Sequence, residues 1–172
     1  MAVLARAKIL QLIESGELKI EPFDKRQVGA GSVDLHLGTE FRVFKKAHDV
    51  FRVTDDADYI QVTEVVRVKP RGQILVMPGE LIHGITKEVV TLPSNLAALI
   101  EGRSSLARVG LLTHLSSGFV HPGTSNRTVL EIANLSPIPL AIVPGIKICQ
   151  LILIEVRGMG KYAGRFAHQM KP

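Results

Sequence analysis

Hydrophobic positions follow two different spacings along the chain. Within residues 3–15, Ile9 and Ile13 stand four apart and Leu10 and Ile13 three apart, with Gly16 directly after this segment. This spacing predicts one amphipathic helix that ends at the glycine. Beyond Gly16 the apolar residues form short runs separated by glycine and proline. The chain therefore begins with a helix and continues with a different kind of structure.

The short apolar runs predict strands. In order they are LKIEPF, SVDLHLG, EFRVF, YIQVTEVVRV, QILVMPG, LIHGITK, EVVTLP, LAALIEG, GFVHPG, TVLEIANL, LAIVPG and KICQLILIEV. Many short strands joined by turn residues indicate a mainly β fold, either a sandwich or a barrel. Residues 103–110 (RSSLARVG) interrupt this pattern, since Ser104 or Ser105 can cap a short internal helix that ends before Gly110.

Length and composition describe one folded domain. A chain of 172 residues can bury a core but is too short for two full domains. Its 46% hydrophobic and 22% charged positions exclude a disordered chain. We place the domain at residues 1–157. Residues 158–172 are rich in glycine and basic side chains and have no apolar periodicity, which predicts a flexible C-terminal arm.

Charge and cysteine content exclude several classes of protein. The formal net charge of +5 is spread along the chain, and Trp is absent, so no nucleic-acid interface is indicated. The single cysteine, Cys149, excludes an intrachain disulfide and a multi-cysteine zinc site, and it suits a reducing cytosol. Neither a signal peptide nor a membrane span of roughly 18 apolar residues is recognisable. We therefore expect a cytoplasmic protein without a membrane partner.

Residues 103–108 carry the first candidate chemistry. Ser104 and Arg108 stand four apart, so both side chains share one face of a helical turn. Arg103 lies beside the free N–H groups at the start of that turn, which bind anions. These donors suit a phosphate chain. A capped helix with two solvated arginines explains the same spacing, so the residues alone leave both interpretations open.

Glu131 is the second candidate. Strand alternation places Val129, Glu131 and Ala133 on one face and Leu130 and Ile132 on the other. A carboxylate among such neighbours either lies at an exposed sheet edge or is held in a pocket, where it can transfer protons. From the residues alone, both interpretations remain open.

Several motifs of metal and nucleotide sites are missing from the sequence. The histidines show no metal-ligand spacing, and neither H-E-x-x-H nor an H-x-E followed by a cysteine pair occurs. This disfavours zinc hydrolases and zinc deaminases. The sequence also has no P-loop and no G-x-G-x-x-G. His121, before Pro122 and Gly123, is by itself typical of a structural or solvated turn histidine.

In this order, the segments resemble the dCTP deaminase family of the trimeric dUTPase-like superfamily. The resemblance rests on GELKIEPF (16–23), GSVDLHLG (31–38), GRSSLARVGL (102–111), PG (122–123) and VLE (129–131). Tyr162 and residues 165–169 are similar to the family's nucleotide-covering tail. Together, G-R-S-S-L-A-R and V-L-E at this distance are far more specific than either alone. The resemblance therefore favours the functional interpretation of both candidates.

The resemblance implies a fold and a reaction. The expected fold is a distorted β-barrel or jelly roll that forms a homotrimer with active sites between subunits. The expected reaction is zinc-independent deamination of dCTP to dUTP and ammonia. Glu131 takes a proton from the water that attacks C4 of cytosine and then helps ammonia to leave. Ser104 holds the water or a phosphate oxygen, and Arg108 orients the site and stabilises the Glu131 carboxylate.

The resemblance also implies the substrate contacts. These are Arg103, Ser104, Ser105, Ser117, Val120, His121, Tyr162, Arg165 and Gln169. The first three receive phosphates from a neighbouring subunit, the backbone of Ser117 and Val120 reads the base, and the last three close over the triphosphate. Mg²⁺ bridges the triphosphate oxygens. The expected ligands are dCTP and dUTP, and inhibition by dTTP is left open.

Some positions depart from the family pattern. The family usually has Asp before Pro-Gly, and in dUTPases and bifunctional relatives that carboxylate activates the water that cleaves the triphosphate. His121 therefore predicts that the reaction ends at dUTP, although its sugar contact is left open. Residues 124–126 (TSN), Arg165 and Phe166 also differ from the family. The alternatives are a dUTP diphosphatase or bifunctional enzyme that yields dUMP, and a non-catalytic nucleotide-binding trimer.

Overall fold

The computed structural model describes residues 2–46 and 50–172. Its elements are α1 (Arg6–Glu14), β1 (Lys19–Glu21), β2 (Val33–Phe44), β3 (Thr63–Arg67), β4 (Ile74–Val76), β5 (Leu81–Thr91), β6 (Leu96–Gly102), α2 (Ser104–Ala107), β7 (Leu111–Thr113), β8 (Phe119–Val120), β9 (Ser125–Asn134), β10 (Leu140–Ile142) and β11 (Lys147–Glu155). Short 3₁₀ turns occur at Lys25–Gln27 and Tyr59–Gln61. None of these helices is long and apolar enough to cross a membrane.

Most strands form one antiparallel sheet. The order is β7-β9-β5-β2-β11-β6-β8, with β1 paired to β5 and β3 to β2, while β4 and β10 form a separate pair. The pairing shifts register between Leu37 and Phe41 on β2 and between Ile85 and Val89 on β5. Such irregularities bend strands and increase their twist. The predicted mainly β fold with an N-terminal and a short internal helix is confirmed.

The core is built from alternate positions of the central strands. On β2, Val33, Leu35 and Leu37 are fully or almost fully buried. Ile9 and Leu12 of α1 are buried in the same cluster, so the helix covers part of the sheet. Burying each such side chain contributes about 1.5–3 kcal/mol. The core fixes the strands whose other positions line the site described below.

Both helices differ in detail from the prediction. The first begins at Arg6 rather than near residue 3, because Val3 forms a bridge with Ile154 of β11 and is therefore extended. The second is a single turn in which Arg103, not Ser104 or Ser105, occupies the N-cap position, with no side-chain hydrogen bond to the cap. The serine hydroxyls are therefore not used to cap α2.

Candidate active site

A cavity of about 410 Å³ lies beside β5, β9 and the C-terminal arm, residues 158–172. This volume falls within the range of about 300–1,000 Å³ that is usual for small-molecule sites. Six residues proposed from the sequence line it: Ser117, Val120, His121, Glu131, Tyr162 and Gln169. The fold thus gathers residues from β8, β9 and the arm around one space.

Glu131 lies in the wall of this cavity on an interior strand. β9 is flanked by β5 and β7, so Glu131 is not on a sheet edge. Its carboxylate accepts hydrogen bonds from the Ser116 backbone N–H at 3.0 Å and from the Ser116 hydroxyl at 3.0 and 3.2 Å. The His114 N–H donates to the Glu131 carbonyl at 3.0 Å. The carboxylate is therefore half-buried and held by neutral donors.

Ser117 and Val120 line the same cavity from the segment that contains β8. This segment is fixed to β6, because the Ile100 N–H donates to the Gly118 carbonyl at 2.8 Å and Ala98 lies opposite Val120. β8 is the terminal strand of the sheet. One edge of a terminal strand keeps its N–H and C=O groups available for a ligand.

His121 belongs to an aromatic stack at the cavity. Its ring lies parallel to that of Tyr162, with 4.8 Å between centroids and 10° between planes. The Phe119 ring meets His121 edge to face at 4.9 Å. A side chain at Gly164 would overlap the Tyr162 ring, so glycine is required there. His121 thus anchors the arm by stacking, at the position where the family usually carries a carboxylate.

The C-terminal arm is bound to β9 by backbone hydrogen bonds. The Ser125 N–H donates to the Ala167 carbonyl at 3.0 Å, and the Arg127 N–H donates to the Gln169 carbonyl at 2.9 Å. Phe166 joins the cavity lining between these contacts. The arm therefore lies across the site in this structure.

Arg165 does not line the cavity, unlike Tyr162 and Gln169 of the same arm. It forms an ion pair with Asp58 at 3.1 Å and is not among the residues that line the cavity. The arm therefore brings Tyr162 and Gln169 to the cavity, while the Arg165 side chain lies outside the lining.

The α2 turn lies apart from the cavity. The side chains of Ser104, Ser105 and Arg108 are exposed, and none of the three lines it. Arg103 instead pairs with Asp34, whose other oxygen accepts a hydrogen bond from the Lys147 ammonium at 2.9 Å. Within one chain the phosphate-binding candidates and Glu131 are not brought together.

Sequence reasoning missed His83, Tyr59, His114 and Phe119, which also line the cavity. His83 lies on β5 directly opposite Glu131. Burial lowers the pKa of His83 below its ordinary value, against the opposing effect of the Glu131 carboxylate. The available signal was a histidine in the strand-like run LIHGITK, but the pairing of that run with TVLEIANL could not be read from the sequence.

Metal-ligating side chains are not clustered in the part of the chain that the structure describes. In residues 2–46 and 50–172, no group of three or more His, Cys, Asp or Glu side chains could hold a metal ion. Cys149 is buried, and burial raises the pKa of its thiol.

Sequence comparison identifies relatives across nearly the whole chain. The profile of the dCTP deaminase-like family matches residues 3–156. A protein named "dCTP deaminase, dUMP-forming" from Nocardioides sp. is 37% identical over 99% of this chain and 92% of its own. Proteins of the same name from Streptomyces coelicolor and Beutenbergia cavernae are 36% and 38% identical, over 93% of this chain and 87% and 86% of theirs.

Solved structures support the fold. The 2'-deoxycytidine 5'-triphosphate deaminase from Agrobacterium tumefaciens superposes with a TM-score of 0.68 at 22% identity, over 90% of this chain and 48% of that chain. This chain thus spans about half of that protein's length. A dUTPase from S. aureus phage phi11, whose structure contains a structural Mg(II) ion, gives a TM-score of 0.53 at 12% identity, over 86% of this chain and 96% of that chain. The predicted dUTPase-like fold is confirmed.

The relatives correct one prediction. From His121 we expected the reaction to end at dUTP, but the matched relatives are named for forming dUMP, so that expectation is wrong and the dUMP-yielding alternative fits better. Losing one carboxylate does not remove every proton acceptor, because a neutral imidazole also accepts protons. The cavity carries His83, His114 and His121. The profile match and the relatives identify the chain as a member of the dCTP deaminase-like family.

Proposed function

We propose that this protein deaminates dCTP and cleaves the resulting triphosphate, with dUMP, ammonia and pyrophosphate as products. The observation that carries this proposal is the half-buried Glu131 carboxylate, held by Ser116 in the wall of a nucleotide-sized cavity. The names of the sequence relatives support dUMP as the product.

In the deamination, Glu131 moves the protons. Its carboxylate accepts a proton from water as the oxygen adds to C4, and it passes that proton to ring nitrogen N3. The hydroxyl proton then goes to the amino group through Glu131. The C4–N bond breaks, ammonia leaves, and a C4 carbonyl remains. Ser116 donates to the carboxylate throughout and keeps it pointing into the cavity.

In the second step, water attacks the α-phosphorus and the bond to the bridging oxygen breaks, which releases pyrophosphate and leaves dUMP. We assign the proton-accepting role in this step to His121, which lines the cavity before Pro122 and Gly123. Its neutral imidazole can take the proton from water. The stack with Tyr162 holds the ring in place. His121→Phe preserves a ring for stacking and removes the base, so it should lose dUTP cleavage and keep ammonia release.

The rest of the binding site divides between two copies of the chain. We assign Ser104, Ser105 and Arg108 to the cavity of a neighbouring copy in a homotrimer, because their side chains are exposed and lie outside their own cavity. In this assignment Arg103 supports the same turn through its pair with Asp34. Heterologous contacts of this kind close into rings.

The remaining contacts bind the base and the phosphates. The backbone of Ser117 and Val120 reads the base, and Tyr162 and Gln169 close over the triphosphate, with Arg165 at the outer edge of the arm. The triphosphate oxygens would hold any Mg²⁺ that accompanies the nucleotide, since a hard cation prefers oxygen ligands, and the ion would neutralise phosphate charge. The same cavity is where dTTP would compete with dCTP.

The decisive experiment is incubation of the purified protein with dCTP and Mg²⁺, with nucleotides separated by ion exchange and with ammonia and pyrophosphate measured. Equal amounts of dUMP, ammonia and pyrophosphate are expected. Glu131→Gln should release no ammonia from dCTP yet still cleave dUTP. Accumulation of dUTP would contradict the second step. Intact dCTP that remains bound would contradict catalysis and indicate a nucleotide-binding trimer.

A further inference from the structure

Three side chains form a row across the sheet beside the cavity. Arg42 on β2 lies opposite His83 on β5, and His83 lies opposite Glu131 on β9. Directly opposite residues project from the same face, with Cβ atoms about 4.5–5.5 Å apart. His83 is therefore the immediate neighbour of the proposed proton-transferring carboxylate, on the side away from Ser116.

The surroundings of His83 are mostly aromatic. Phe44 and Tyr59 meet its ring edge to face, with centroids 5.5 and 5.6 Å away. The Nδ1 atom is buried and has no hydrogen-bond partner among the described residues. Buried polar atoms without partners are uncommon and call for an explanation. An aliphatic side chain would complete this wall without that cost, so a polar ring here indicates a function at its cavity-facing side.

Arg42 does not compete for Glu131. Its Nε donates to the Pro172 carbonyl at 2.7 Å, its Nη1 donates to the Thr63 hydroxyl at 3.2 Å, and its guanidinium lies over the Tyr59 ring. His83 separates this cation from the carboxylate. Burial lowers the pKa of His83, the Glu131 carboxylate raises it and Arg42 lowers it, and the net direction is downward, which favours the neutral ring over an ion pair with Glu131.

We propose that His83 is a further catalytic residue of the deamination, which hydrogen-bonds the water molecule that Glu131 deprotonates. This inference rests on the proposed function and extends it. One water can lie about 2.6–3.2 Å from both side chains, because the two project side by side into one cavity. The proton that moves goes from water to Glu131, while His83 keeps its own proton and fixes the position of the oxygen. Cleavage of the triphosphate does not use this water.

The test compares two substitutions in both half-reactions. His83→Leu fills the aromatic wall but removes the hydrogen bond, and we expect kcat for ammonia release from dCTP to fall about 100-fold. KM for dCTP and the rate of dUTP cleavage should stay within a few-fold of the unsubstituted protein. His83→Gln restores polar atoms without a ring and should recover part of the lost kcat. His168→Leu, exposed and outside the cavity lining, is the matched control.

Each other outcome decides against the proposal. Full ammonia release by His83→Leu would overturn it, and so would an equal loss of both half-reactions, which indicates a structural role only. Thermal unfolding and oligomer size of both variants separate misfolding from loss of chemistry. If His83→Leu does not fold, ammonia release by His83→Gln provides the test instead. Failure of the unsubstituted protein to release ammonia would refute the proposed function itself, and that result is seen before any variant is made.

Discussion

The cavity around Glu131 and the α2 turn contain the two most specific motifs of the sequence, yet their environments are opposite. Glu131 is half-buried, fixed on an interior strand and held by hydrogen bonds from Ser116. Ser104 begins a one-turn helix and Arg108 occupies its C-cap position, and both side chains are exposed and do not line the cavity. A proton-transferring carboxylate needs a fixed, partly desolvated place, and one chain can build that place alone.

The exposed α2 turn carries potential phosphate donors that lie outside the cavity of its own chain. Free serine hydroxyls, an exposed guanidinium and the N–H groups of a helical turn are good donors to phosphate, but none of these side chains lines the cavity of its own chain. The proposed function resolves this mismatch by assigning these donors to the cavity of a second copy. In the proposed function, this difference corresponds to proton transfer by Glu131 of one chain and phosphate binding by donors of its neighbour.

The largest effect is expected from a substitution of Glu131 in the cavity. Glu131→Gln keeps the shape and the hydrogen bonds but removes the proton acceptor, so ammonia release should fall by about 10²–10⁴-fold or more. Ammonia release under saturating dCTP gives this measurement. The control is dUTP cleavage by the same variant, which should persist. Normal ammonia release would show that another group moves the proton.

The next prediction tests whether Glu131 and Arg108 of one site come from different chains. Arg108→Ala and Glu131→Gln should each release almost no ammonia from dCTP alone, whereas co-refolded mixtures should regain ammonia release, because some sites combine an intact Glu131 with an intact Arg108. Random mixing of equal amounts into a cyclic trimer restores about a quarter of the sites. Ammonia release from dCTP is the measurement. If mixed oligomers, with their composition verified by mass, release no ammonia, then Arg108 serves the site of its own chain.

The strand pattern could be read from the sequence because alternation and turn residues are local signals. Leu130 and Ile132 are buried on one face of β9 as that alternation predicts, and Glu131 lies on the other. The pairing of β5 with β9 is not local, so the position of His83 beside Glu131 was not predictable. The stack of His121 on Tyr162 was unpredictable for the same reason, because it depends on how the arm folds back.

A smaller effect is expected at the C-terminal arm, which brings Tyr162, Phe166 and Gln169 to the cavity. In the proposed function the arm binds phosphates and the stack holds His121, so Tyr162→Ala should raise KM for dCTP about 10-fold and slow dUTP cleavage, with little change in kcat for ammonia release. Steady-state kinetics test this. His168→Ala is the matched control, since this exposed side chain of the same arm lies outside the cavity lining. Equal KM values for the two variants would contradict the role of the stack.

The smallest effect is electrostatic: substitutions in the cavity should change the pH dependence of stability, and a substitution on the α2 turn should not. The pKa of His83 is lowered in the folded protein, so below its ordinary value of about 6.5 the unfolded chain binds more protons and the free energy of unfolding falls as pH decreases. His83→Leu should reduce this loss of stability below about pH 6.5 in denaturant titrations. Glu131→Gln should steepen it, because the carboxylate opposes the lowering. Arg108→Ala, on the exposed turn, should leave the slope unchanged. An unchanged slope in His83→Leu would mean that the cavity imposes no protonation cost on that ring, and the contrast between a desolvated wall and an exposed turn would then rest on geometry alone.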